Sequence, residues 1–139
     1  MSRLRLLPVV PFLAAALLGC SDSTTEPTSI AGSYTASTFT LTPTGSTSRD
    51  VLAAGGSLTI NIASSNAITG TLNVPASVTG GSAFVADMAG TATVTGSTVR
   101  FTQSADTFVR DLNWTIQGNT LRVTNQTAGS ASFTITLTR

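Results

Sequence analysis

From residue 33 onward the chain alternates between apolar and polar side chains. Leu58, Ile60 and Ile62 are separated by Thr59 and Asn61, and Phe133, Ile135 and Leu137 by Thr134 and Thr136. Phe39 and Leu41 sit among Thr38, Thr40 and Thr42, while Ile68, Leu72 and Val74 share one parity. A period of two turns one side of an extended chain apolar and leaves the other polar. The pattern predicts eight strands, over 33–42, 57–63, 67–75, 84–95, 98–104, 111–117, 120–126 and 131–138. Threonine fills the polar positions because β-branched side chains suit a pleated strand. Tyr34 and Ala36 fall on the opposite parity to Phe39 and Leu41, which predicts a bulge between them. No long helical pattern follows residue 20. One short turn is predicted at Asp50-Val51-Leu52-Ala53-Ala54, with Asp50 as its N-cap and Gly55 as its terminator.

Two stretches make the pairing specific. VTGSTVRF (94–101) and IQGNTLRV (116–123) each break an alternating run with a glycine and a polar residue. Glycine supplies the positive φ of a tight two-residue hairpin turn. With Gly96-Ser97 as the turn, Val94 faces Val99, Ala92 faces Phe101 and Thr93 faces Arg100. With Gly118-Asn119 as the turn, Ile116 faces Leu121, Trp114 faces Val123 and Thr115 faces Arg122. Directly opposed residues share a sheet face, so both registers gather apolar residues on one side. A slip by one residue spoils both.

Half-buried strands with short connections read as an antiparallel meander. The predicted fold is all-β: a small eight-stranded antiparallel up-and-down barrel, with a β-sandwich as the alternative. Closure removes edge strands, and the chain has no lysine and few prolines to guard open edges. The inward parity collects Phe39, Leu58, Ile60, Ile62, Leu72, Met88, Phe101, Trp114, Ile116, Phe133 and Ile135. Gly70, Gly90 and Ala92 are small and inward as well, which predicts room near Met88.

The chain opens differently. Arg3 and Arg5 precede an uncharged apolar run from Leu6 to Leu18, closed by Gly19. This is the form of a secretory signal, and the run falls short of the roughly twenty residues a spanning helix needs. Leu17-Leu18-Gly19-Cys20 resembles the lipobox of bacterial lipoproteins. That resemblance implies cleavage before Cys20, the only cysteine, and a thioether-linked diacylglycerol on it, usually with an added N-acyl chain. Two or more acyl chains anchor stably where one does not. Ser21 to Ser29 is polar and without aromatic residues, so it is read as a tether spanning at most about 30 Å. The predicted organisation is a signal peptide over 1–19, a lipidated N-terminus and tether over 20–29, and a barrel domain over 30–139. Ser21, in place of an aspartate after the cysteine, leans the address in the cell envelope toward the outer rather than the inner membrane.

Gly32-Ser33-Tyr34 on the first strand resembles the Gly-x-aromatic start of lipocalin-like barrels. Arg139, after the last strand, stands where such folds place a cation over that ring. The Asp50 turn resembles the lid segment of the same class. The stretch from Gly32 to Arg139 is similar to the uncharacterised lipocalin-like lipoproteins of environmental bacteria. The resemblance implies a closed barrel with an interior for a small hydrophobic molecule.

Composition narrows the chemistry. The chain has no histidine, so a Ser-His or Cys-His pair is not available. Without histidine, and with its one cysteine at the anchor, it has no ordinary zinc donor set. Loss of Arg3 and Arg5 leaves the remaining chain near neutral, with no basic patch for a nucleic-acid backbone. Asp106 and Asp111 flank Arg110 in one connection and read as a solvated loop. Outward rows such as Thr134, Thr136 and Thr138 read as a neutral exterior. The expectation is a non-enzymatic envelope lipoprotein needing no cofactor or metal. It is held to the membrane by its lipid and binds a small hydrophobic ligand. Leu52, Met88, Phe101 and Trp114 are the candidate ligand contacts and Cys20 the lipidation site. The alternative is a structural or protein-contact module with a filled core.

Overall fold

The computed structural model describes residues 29–139. The signal segment, Cys20 and all of the tether except Ser29 lie outside the described residues. The alternating segments form β1 (Gly32–Pro43), β2 (Arg49–Asp50), β3 (Ser57–Ile62), β4 (Ala67–Val74), β5 (Phe84–Thr95), β6 (Thr98–Gln103), β7 (Trp114–Gln117), β8 (Thr120–Ala128) and β9 (Ala131–Thr138). Every neighbour pair is antiparallel, and β1 pairs with β9 to close the sheet. The fold is a closed eight-stranded barrel, to which the two-residue β2 is added. The sandwich alternative is excluded by that closure.

The bulge in β1 makes closure possible. Gly32 to Thr35 pair with β3, whereas Thr35 to Pro43 pair with β9, and the register shifts between Ala36 and Thr38. One strand therefore bends from one neighbour to the other. Past Thr35 its free edge is taken partly by β2, through Thr40–Asp50 and Leu41–Arg49. Tyr34 and Phe39 both face the core despite their opposite parity, because the extra residue resets which side faces in.

Both hairpins have the expected register. Val94 pairs with Val99, Ala92 with Phe101 and Thr93 with Arg100. Ile116 pairs with Leu121 and Thr115 with Arg122. The apolar members of these pairs are buried, except Val94 at the tip, which is 39% exposed. Burial of each large aliphatic or aromatic side chain contributes about 1.5–3 kcal/mol.

The connections are unequal at the two ends. At one end lie Ser29, Arg139 and the short turns 63–66, 96–97 and 118–119; this is the terminal end. At the other, the loop end, lie the long connections 44–56, 75–83 and 104–113. Each long connection sends apolar side chains inward: Val51, Val78, Val109 and Leu112 are all buried in the core. The Asp50 turn forms as expected. Asp50 Oδ1 accepts from the Ala53 N–H at 3.0 Å, and the Gly55 N–H bonds to the Leu52 carbonyl at 2.9 Å. A four-residue helix, α1 (Ala76–Thr79), follows Pro75, and Arg49 Nη1 ties it to the first connection through the Val78 carbonyl at 2.5 Å.

Three local features depart from the pattern. The stretch read as the start of a strand at 111 is preceded by a 3-10 turn at Phe108–Arg110, and the strand begins only at Trp114. That turn holds Val109 where its carbonyl accepts from Trp114 Nε1 at 3.2 Å. β8 runs on to Ala128 and carries a second bulge between Val123 and Gln126, with Asn125 at φ 47°. Asparagine is among the few residues that adopt this conformation readily. The described core draws only on residues 30–137. The sheet closes on itself within the described residues.

Candidate functional site

The barrel interior is lined by alternate residues of eight strands and stoppered at the loop end by the long connections. All eleven residues placed inward by parity are buried. Phe39, Leu58, Leu72, Trp114 and Ile135 have no exposed surface at all. Aromatic side chains meet inside the barrel. Phe101 and Trp114 lie with ring centres 5.8 Å apart and tilted by 58°, within the spacing at which aromatic pairs attract. Phe108, from the 104–113 connection, stacks on Phe133 at 4.1 Å and 16°, and stands 5.9 Å from Phe39.

The candidate contacts fall in three places. Phe101 and Trp114 are neighbours in the core. Met88, on β5, is buried beside Gly70, with which it pairs. Leu52 is only partly buried, in the turn of the first connection, and packs against the core from the loop end. Cys20 lies outside the described residues.

The space near Met88 differs from the expectation. Gly70 and Gly90 mark close backbone approach rather than room. A Cβ on Gly70 would lie 2.3 Å from the Thr59 carbonyl oxygen and 3.1 Å from Met88 Cε. A Cβ on Gly90 would lie 1.9 Å from the Thr102 carbonyl oxygen. Glycine in a strand interior commonly serves this purpose where a barrel sheet coils tightly.

Two polar residues inside were not singled out by sequence reasoning. Gln103 and Thr107 are the buried polar side chains of the described core. Gln103 Nε2 donates to Thr107 Oγ1, and the Thr107 hydroxyl points to Met88 Sδ at 3.9 Å. Gln103 Oε1 has no hydrogen-bond partner among the described residues. The signal for Gln103 was its parity, two residues beyond Phe101 on the strand. Thr107, in a connection without periodicity, carried no signal.

The terminal end holds a second polar cluster. Tyr34 is buried and its hydroxyl donates to the Ile30 carbonyl at 2.9 Å. Burial holds the phenol above its ordinary value of 10.0, with the nearby Arg139 charge opposing that rise. On the outside, Arg110 pairs with both Asp106 and Asp111, at 2.5 and 3.6 Å. Both contacts are solvent-exposed and worth little. A shallow depression of about 480 Å³ lies over β7, β8 and β9 around Arg122, and another of about 580 Å³ lies over β1, β3, β4 and β5 beside Asp87. Comparison with protein-family models, with curated proteins and with solved structures finds no match to this chain.

Proposed function

We propose that this chain is an envelope lipoprotein, anchored through Cys20, whose barrel binds a small hydrophobic molecule without catalysing a reaction. The observation that carries the reading is the closed barrel whose inward face is apolar apart from Gln103 and Thr107. An eight-stranded barrel is wide enough to be filled by side chains or to hold one small ligand. Its loop end is stoppered by connections rather than by strands, and connections open at lower free energy than paired strands do. The lipobox-like Leu17-Leu18-Gly19-Cys20 supplies the address. Because Ser29 leaves the barrel at the terminal end, a tether of up to about 30 Å would join that end to the bilayer. Ser21 favours the outer membrane. The absence of histidine from the sequence favours binding over catalysis.

Two measurements test this. Cys20→Ala is expected to release the protein from membranes and abolish labelling by radioactive palmitate; unchanged membrane retention overturns the anchor. Native mass spectrometry of the protein purified from its own host is expected to show a co-purified lipid or similar apolar molecule. A protein that is bare by this measurement would favour the second reading, a structural or contact module. The filled axis around Phe39, Leu58 and Trp114 supports that alternative.

A further inference from the structure

β5 outruns the strand beside it. Phe84 to Thr91 pair with β4 along the whole of that strand, but pairing with β6 begins only at Gly90–Gln103. Toward the loop end, β5 therefore has a ladder neighbour on one side alone. Beyond Gln103 the chain leaves the sheet and crosses the loop end, where Phe108 packs on Phe133 and Phe39. Among the described residues, no main-chain hydrogen bond joins 104–113 to 84–88. One bond gives the direction of the unused groups: the Ala92 N–H donates to the Asn66 carbonyl at 2.8 Å, on the β4 side. Successive residues of a strand turn their main-chain groups to opposite sides. Phe84, Ala86 and Met88 thus bond toward β4, and Val85 and Asp87 turn theirs to the open edge.

This edge is exposed and lightly guarded. Val85 is 68% exposed and Phe84 38%, and Asp87 is exposed as well. Proteins commonly blunt such an edge with lysine, proline or a covering segment; here stand a valine and a single carboxylate. Both ion pairs among the described residues belong to Arg110, and Asp87 joins neither. A strand added at this edge would take up the ladder where β6 leaves off, its main chain bonding to Val85 and Asp87. The side chains opposite those two would stand on the outer face, where an apolar one suits Val85 and a cation suits Asp87. A second copy of the chain fits less well. Antiparallel pairing centred on Val85, Ala86 or Asp87 sets the carboxylate against Ala83, Val85 or Asp87 of the other copy, never against a cation.

We propose that residues 84–88 of β5 are a docking edge for an extended segment of another protein. That segment adds to the sheet as an antiparallel strand, with a Lys or Arg opposite Asp87 and an apolar residue opposite Val85. The edge makes no use of the barrel interior, so this docking stands or falls apart from the ligand-binding reading.

The test uses the full chain in mild detergent and a fluorescently labelled peptide, acetyl-Ser-Thr-Lys-Ile-Val-Leu-Ser-amide, with binding read by anisotropy. Antiparallel pairing sets its Lys against Asp87 and its Val against Val85. A peptide with Glu in place of Lys is expected to bind about fivefold more weakly at low salt, and Asp87→Lys is expected to reverse that preference. Asp87 is exposed, so this substitution leaves the core untouched. The main-chain pairing has its own readout. N-methylation of the peptide at Lys or at Val removes a donor that faces the edge and is expected to cost about tenfold in affinity. N-methylation at Ile, whose N–H points away from the edge, is expected to cost little. Absence of binding by either peptide, equal losses from the three N-methyl groups, or a Lys preference that survives in Asp87→Lys overturns the docking edge. Sedimentation of the peptide-free protein as a dimer that Val85→Pro disperses would assign the edge to a second copy and overturn the separate partner.

Discussion

The guanidinium carbon of Arg139 lies 5.5 Å from the centre of the Tyr34 ring. The final residue of the chain thus sits over the first strand, and the same side chain reaches further. Nη2 donates to the Ser29 carbonyl at 3.1 Å, Nη1 to the Ala31 carbonyl, and Nε to Asn119 Oδ1 at 3.2 Å. One planar cation therefore joins the incoming segment, the Tyr34 ring and the β7–β8 turn.

Loss of this clamp is expected to lower stability. A cation over an aromatic ring at an exposed site contributes about 0.5–1 kcal/mol, and the hydrogen bonds add a comparable amount. Arg139→Ala should therefore destabilise by about 1–2 kcal/mol, or roughly 4–8 °C in Tm for each kcal/mol. Arg139→Lys should recover only part, because one ammonium cannot span acceptors on three sides of a ring. Trp114 is the only tryptophan, so its fluorescence follows thermal unfolding directly. Equal Tm values for Arg139→Ala and the parent would show that the clamp carries no stability.

The Tyr34 phenol sets an alkaline limit. Burial raises it above 10.0, and the Arg139 charge offsets part of that rise. The folded protein then keeps a proton that the unfolded chain has lost. This contribution is complete below pH 10.0 and declines as the pH climbs from 10.0 through the folded value. Denaturant midpoints measured from about pH 8 to about pH 11 should fall at the alkaline end. Tyr34→Phe should start lower, since the Ile30 carbonyl loses its donor, and should show a shallower alkaline decline. As the chain has one tyrosine, ultraviolet absorbance reads its ionisation without ambiguity. An alkaline slope identical in Tyr34→Phe would assign the decline to another group.

The hairpin registers and the inward set were legible because a period of two decides which face a side chain takes. The β1 bulge was legible for the same reason, since Tyr34 and Phe39 need the same face from opposite parities. Alternation carries no information on how near two backbones come. Gly70 and Gly90 therefore read as room near Met88, where the Thr59 and Thr102 carbonyls in fact fill the place of a side chain. The connections were illegible for a related reason: α1 and the Phe108–Arg110 turn are single turns, too short to show a helical period. Their buried residues, Val78 and Val109, look like any isolated valine. Gln103 was on the inward parity, but its unpartnered oxygen depends on where Thr107 lies, and that is set by tertiary packing.

Two glycines separate crowding from backbone strain. At Gly118 (φ 58°), in the β7–β8 turn, a Cβ meets nothing within 4 Å, so Gly118→Ala should lose only the left-handed backbone preference, about 1–2 kcal/mol. Gly118→Val should lose more, because branched side chains tolerate positive φ poorly. At Gly90 the φ is unremarkable, yet a Cβ would lie 1.9 Å from backbone oxygen. Backbone in a closed sheet yields little, so Gly90→Ala should destabilise by about 3 kcal/mol or more. Chemical denaturation of the two alanine variants should rank Gly90 well above Gly118. The reverse order would mean that the β5–β6 ladder relaxes more easily than a free turn.

Trp114 connects the core to the loop end, so its replacement should act in one region more than elsewhere. The side chain is fully buried, its ring lies against Phe101 and its Nε1 holds the Val109 carbonyl. Trp114→Phe removes volume and leaves that carbonyl without a donor, a combined loss of about 2–4 kcal/mol. Val109 anchors the 104–113 connection to the core. Hydrogen exchange in Trp114→Phe should therefore quicken most at Arg110 and Asp111, whose amides bond back to Thr107 and Phe108. The β3–β4 ladder should change least. An equal acceleration at both places would mean that Trp114 supports the barrel as a whole and that the connection has no anchor of its own.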